Sequence, residues 1–71
     1  MKDIAIDLMA LEAGELGVEE TLDLFALLIK SGMAWDLQGS YGRTAERLIE
    51  AGLITRDGEV SPNAVEQAMA A

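Results

Sequence analysis

Apolar residues recur at helical spacing from the first residues onward: Ile4, Leu8 and Leu11 stand at i, i+4 and i+7, with Asp3, Asp7 and Glu12 beside them. That period predicts an amphipathic helix of about three turns, ended by Gly14 and Gly17. A second helix is predicted from Val18 to Ser31. Glu19, Glu20 and Asp23 crowd its first turns, where carboxylates meet the positive end of the helix dipole, and Gly32 follows Lys30 and Ser31 as the stop. Its body is apolar on nearly every face. Leu22, Phe25, Ala26 and Ile29 form one stripe, while Leu24, Leu27 and Leu28 project from other sides. Such a helix belongs at the centre of the fold or is shared with a second copy.

Met33 to Gln38 has room for only a turn or two, and Gly39-Ser40 interrupts the chain again. Tyr41, Ala45, Leu48 and Ile49 then mark a helix from Tyr41 to Ala51 with Gly52 as its cap. Leu53-Ile54-Thr55 and Glu59-Val60 flank Asp57-Gly58, a dipeptide that favours a tight hairpin turn, so a small β-ribbon packed on helices is expected. Ser61-Pro62 offers an N-cap before proline at the first helical position, and Val65 with Met69 marks a short closing helix. The pattern predicts one mainly α domain of four to five helices with a short two-stranded hairpin. The order resembles a winged helix, with Tyr41 to Ala51 in the place of the recognition helix and Arg56 at the wing.

Length changes what must hold this together. At 71 residues, with Cys 0 and His 0, the chain has neither disulfides nor the usual zinc ligands to supplement a small core. Stability must come from packing or self-association. The composition, 51% hydrophobic but only 4% aromatic, implies an aliphatic core and argues against disorder. A homodimer is expected through the helix from Val18 to Ser31, with Leu24, Leu27 and Leu28 at the contact. The competing expectation is a monomer in which the helices at Ile4–Leu11 and Val65–Met69 cover both stripes.

Charge narrows the partners. A formal net charge of −8 repels nucleic-acid backbones and anionic membranes at long range. Asp3, Asp7, Glu12, Glu19, Glu20 and Asp23 are the candidate partner-binding residues, a face complementary to a neutral or basic protein. Asp7 and Glu12 interrupt the first apolar stretch, which argues against a signal peptide, and no apolar run approaches the ~18 to 20 residues of a membrane span. A cytoplasmic location is expected.

Candidate chemistry is sparse. Without histidine or cysteine, no nucleophile and base stand in a recognisable arrangement, so no enzyme, no cofactor and no metal are expected. Glu46 and Glu50 are expected to pair with Arg43 and Arg47, one turn before each, rather than to hold a cation. Gly39 to Thr44 is more suggestive. Ser40, Tyr41, Arg43 and Thr44 stand at a helix start, where free backbone N–H groups attract anions, and Trp35 with Tyr41 could stack on a base. A phosphate-bearing small molecule is therefore one candidate ligand. The structural alternative is that Ser40 caps the helix, Gly42 permits close packing, and Tyr41 and Trp35 complete the core. DNA binding is disfavoured, because Arg43 and Arg47 alternate with Glu46 and Glu50.

The run Leu37-Gln38-Gly39-Ser40-Tyr41-Gly42-Arg43-Thr44-Ala45, with Trp35 before it and Leu48-Ile49-Glu50-Ala51-Gly52-Leu53 after it, resembles a family of small proteins encoded by tailed bacteriophages. Members share an acidic first half and the LQGSYGRTA core, and the likeness runs from Glu15 to Ile54. It implies a phage origin and a role inside the infected cell: engaging a host or defence protein by contact, to inhibit or redirect it. It carries no catalytic residue over.

Overall fold

The computed structural model describes residues 4–37 and 39–70. Among these, five helices follow one another: α1 (Ile4–Glu12), α2 (Val18–Ser31), α3 (Met33–Asp36), α4 (Ser40–Glu50) and α5 (Ala64–Ala70). The mainly helical expectation holds, and α2 has the predicted limits. Gly17 caps its start: the Glu20 carboxylate accepts from the Gly17 N–H at 3.0 Å, the half of a capping box that a residue without a side chain allows. At its end, left-handed Gly32 donates to the Ile29 carbonyl at 3.1 Å and turns the chain directly into α3.

α2 is the centre around which the rest is laid. Leu22, Leu24, Phe25, Ala26, Leu28 and Ile29 are all buried, joined by Ala34 of α3, Ala45 of α4, Ile54 and Ala64 of α5. α3 and α5 pack on α2 most extensively, and α1 more lightly. Ile4, Leu8 and Leu11 of α1 turn toward this core, as their spacing predicts, but α1 has no fully buried residue.

The second stripe of α2 therefore needs no partner subunit. Leu24 and Leu28 are 0% exposed within a single chain, and Leu27 is half-buried. α3 and the turn at Gly58 pack on α2 in addition to α1 and α5. With Leu24 and Leu28 inside, they are not available as a self-association surface.

That segment also corrects the hairpin. Among the described residues no strand forms, and Ile54 and Val60 make one isolated antiparallel bridge. Thr55 N–H donates to the Glu59 carbonyl at 2.8 Å, and Gly58 N–H to that of Thr55 at 3.0 Å, so the Asp57-Gly58 turn is present without a ribbon to extend it. Gly58 explains why. It is buried with φ +87°, and a Cβ placed on it would stand 2.7 Å from the Ala26 carbonyl oxygen and 2.7 Å from Lys30 Cβ. The turn lies flat on the second half of α2, and only a glycine fits there. A turn seated on the core cannot project as a wing, so the winged-helix arrangement is not formed.

Ser61 likewise has another role than the one expected. Its hydroxyl donates to the Gly52 carbonyl at 2.6 Å, tying the two ends of the 52–61 segment together, and α5 starts three residues later at Ala64.

Candidate functional site

α4 has two unlike sides. One carries Ala45, fully buried, with Leu48 and Ile49 half-buried against the core. The other carries Arg43, Arg47 and Glu50 at i, i+4 and i+7, which puts them on one exposed face. α3 meets α4 closely: a Cβ on Gly42 would lie 3.4 Å from the Ala34 carbonyl oxygen and 4.0 Å from Trp35 Cε3. This approach sets the indole of Trp35 alongside α4. Trp35, Gly42, Arg43, Glu46, Arg47 and Glu50 together line an open groove of about 410 Å³.

Charges in the groove are only partly matched. Glu46 reaches out of its own helix to Arg56, with Nη1 to Oε1 at 3.3 Å and Nη2 to Oε2 at 3.5 Å. The expected Arg43–Glu46 and Arg47–Glu50 pairs do not form. Arg56, arriving from the turn after α4, takes the carboxylate that Arg43 would have used. Lys30 is likewise engaged, by Glu59 at 3.1 Å. Among the described residues, the two cations without an ion pair are Arg43 and Arg47, and both face the groove. Trp35 beside them is 46% exposed, high for the largest side chain in the protein.

The residues expected to form one ligand site are divided by this geometry. Trp35 and Arg43 line the groove. Tyr41 faces the other way: its ring lies 6.3 Å from that of Phe25, and its hydroxyl donates to Glu12 Oε1 of α1 at 2.8 Å. This hydrogen bond and partial burial raise the Tyr41 pKa above the usual tyrosine value. Ser40 is exposed and Thr44 half-buried, and neither lines the groove. Ser40 is the first residue of α4 rather than its cap. Gly39 holds the cap position with φ +50° and no side-chain hydrogen bond, and Arg43 Nη2 stands 3.8 Å from where a Gly39 Cβ would be.

The acidic candidates are also dispersed over several tasks. Glu12 accepts from Tyr41, Glu20 accepts from Gly17 N–H, and Asp7 is half-buried. Glu19 and Asp23 are exposed one turn apart on α2, and Asp3 lies outside the described residues. What the sequence reading missed is Arg47 as a partner of Arg43. The signal was their i, i+4 spacing, set aside because a carboxylate followed each.

A domain of unknown function, DUF7417, matches the chain over residues 1–71. The chain belongs to this family. Neither a curated protein nor a solved structure matches it. Among the described residues of this family member, no group of carboxylates is gathered as a metal site, and no helix is long and apolar enough to cross a membrane.

Proposed function

We propose that this protein acts by binding another protein, and that the groove of Trp35, Arg43 and Arg47 is where it does so. The observation that carries this reading is the pairing of a half-exposed tryptophan with two arginines that have no ion-pair partner. Tryptophan and arginine are the residue types that most often dominate protein interfaces, because each brings a large contact area and a directed polar group. The groove is open along α4 rather than closed over, which suits a protein surface bearing carboxylates better than a small molecule. Glu50 at the same face would select against a uniformly acidic partner such as nucleic acid.

The resemblance to tailed-phage proteins supports a host or defence protein as the target, bound by contact without catalysis. The acidic side chains of this chain then serve solubility rather than the contact, and the cationic pair Arg43 and Arg47 carries the local attraction.

A phosphate-bearing small molecule is the second reading, and one observation favours it. The Arg43 guanidinium lies by Gly39, where the first N–H groups of α4 have no side-chain cap. A single comparison separates the two. Affinity capture from bacterial lysate with the wild-type chain and with a Trp35→Ala/Arg43→Ala/Arg47→Ala variant is expected to recover a partner with the first and lose it with the second. If capture is unchanged while nucleotides raise the wild-type melting temperature, the small-molecule reading replaces this one.

A further inference from the structure

A second concavity lies where α2 begins. Leu16, Val18, Leu22, Leu48, Leu53 and Ala68 line a hollow of about 250 Å³, together with Gly17 and Thr21, and no charged residue is among them. Three separate stretches build it: the entry into α2, the end of α4 with Leu53 just beyond it, and α5. Val18 remains 41% exposed, and Leu16, Leu48 and Leu53 are only half-buried. The hollow is open to solvent, and an apolar side chain of a partner placed in it would leave water together with these half-buried residues.

The rim is as telling as the floor. Carboxylates crowd this end of α2: that of Glu20 accepts from the N–H of the lining residue Gly17 at 3.0 Å, and exposed Glu15 and Glu19 are chain neighbours of the lining residues Leu16 and Val18. The cations of α4 turn from the core-facing side on which Leu48 sits, and Lys30 stands at the far end of α2. An apolar floor with a carboxylate rim is complementary to one kind of surface: an apolar side chain flanked by lysine or arginine.

We propose that this hollow is a docking site for a basic amphipathic helix of a partner protein, which inserts one leucine- or phenylalanine-sized side chain between Val18, Leu22, Leu48 and Leu53. The site goes beyond the α4 groove and uses none of its residues. The apolar insertion supplies the affinity, and the carboxylates select the partner and speed its approach. A second copy of this chain is a poor occupant through the same face, since that sets one group of carboxylates against another.

Methyl NMR titration with three short helical peptides tests the proposal: one of lysine and leucine, one of glutamate and leucine, and one of lysine and alanine. The lysine–leucine peptide is expected to shift the methyl signals of Val18, Leu22, Leu48 and Leu53, and to bind at least tenfold more tightly than either control. Ala68→Leu, which fills the hollow from α5, is expected to weaken binding at least tenfold without lowering the melting temperature. The Trp35→Ala/Arg43→Ala/Arg47→Ala variant is expected to bind the peptide as the wild type does, so this test and that of the α4 groove fail independently. Equal binding of the lysine–leucine and lysine–alanine peptides, or shifts confined to α1 or to Trp35, overturns the proposal. So do shifts of the same four methyls on concentrating the protein alone, which would assign the hollow to a second copy.

Discussion

α1 and α2 are both rich in apolar residues, and the structure treats them differently. α2 buries six side chains, whereas α1, with Ile4, Ile6, Leu8, Met9 and Leu11, buries none completely. Ile6 is 63% exposed and Met9 71%. Hydrophobicity alone does not decide burial; the number of elements that can reach a helix does. α2 is approached by α3 through a turn of one glycine, by α5 and by the flat turn at Gly58, while α1 lies at the edge with α2 as its main neighbour. Interior and edge are thereby assigned by connection rather than by composition.

The largest effect that would break this contrast is at Leu28. It is 0% exposed, so Leu28→Ala is expected to remove about 2 to 5 kcal/mol, transfer loss and cavity together. A domain this small holds only a few kcal/mol in total, so the variant should be largely unfolded at room temperature. Urea unfolding followed by circular dichroism measures it. The matching change on α1, Ile6→Ala, should cost less than about 0.5 kcal/mol. Equal losses at the two positions would mean that the outer face of α1 is covered in solution.

Much of this arrangement was readable from the residues, and the unread parts share a cause. The limits of α2, the core-facing stripe Ile4/Leu8/Leu11 and the end of α4 at Gly52 follow from local period and caps, which tertiary contacts did not override. The hairpin failed because Asp57-Gly58 specifies a turn but not the length of the strands beside it. The surface of α2 at Ala26 and Lys30, distant in sequence, decided that. The arginines failed for the same reason. Arg43 and Glu46 are local neighbours, but Glu46 is taken by Arg56 through a fold the sequence does not display. The candidate groove was legible only in part, as Trp35 and Arg43, because its walls come from α3 and α4 meeting at Gly42.

A smaller effect sharpens the role of the flat turn in making α2 an interior helix. Gly58→Ala introduces a Cβ at 2.7 Å from a backbone oxygen and 2.8 Å from the Lys30 backbone nitrogen, at a φ that side chains resist. Neither atom is the end of a flexible chain, so the turn must lift from α2. Overpacking of this kind costs about 1 to 3 kcal/mol. The same substitution at Gly14, where φ is +74° and nothing lies within 4 Å, retains the conformational penalty without the collision. Gly58→Ala should therefore have the lower urea midpoint of the two. The reverse order would show that the turn does not rest on α2.

The smallest effect concerns what holds the edge helix in place. Tyr41 donates its hydroxyl to Glu12 at 2.8 Å, joining α4 to the last residue of α1 across 29 positions of sequence. Both groups are accessible to water, so the bond contributes less than a buried one, about 0.5 to 1.4 kcal/mol, or roughly a two- to tenfold change in the opening equilibrium of α1. Tyr41→Phe keeps the ring against Phe25 and removes only this bond, so amide exchange should accelerate in α1 and stay unchanged in α2. The same contact has a pH signature. Hydrogen bonding to Glu12, then partial burial, then the Glu12 charge all favour the neutral phenol and raise its pKa. A group whose folded pKa is raised contributes stability that is complete below its unfolded pKa, about 10 for tyrosine, and is lost as pH rises through the folded value. The wild type should thus lose stability more steeply than Tyr41→Phe above about pH 10, and the two curves should run parallel below it. Because the chain has Tyr 1, tyrosinate absorbance reports this group alone. A folded-state titration that coincides with that of the denatured chain would show that Glu12 and Tyr41 are apart in solution, leaving α1 attached by Ile4, Leu8 and Leu11 only.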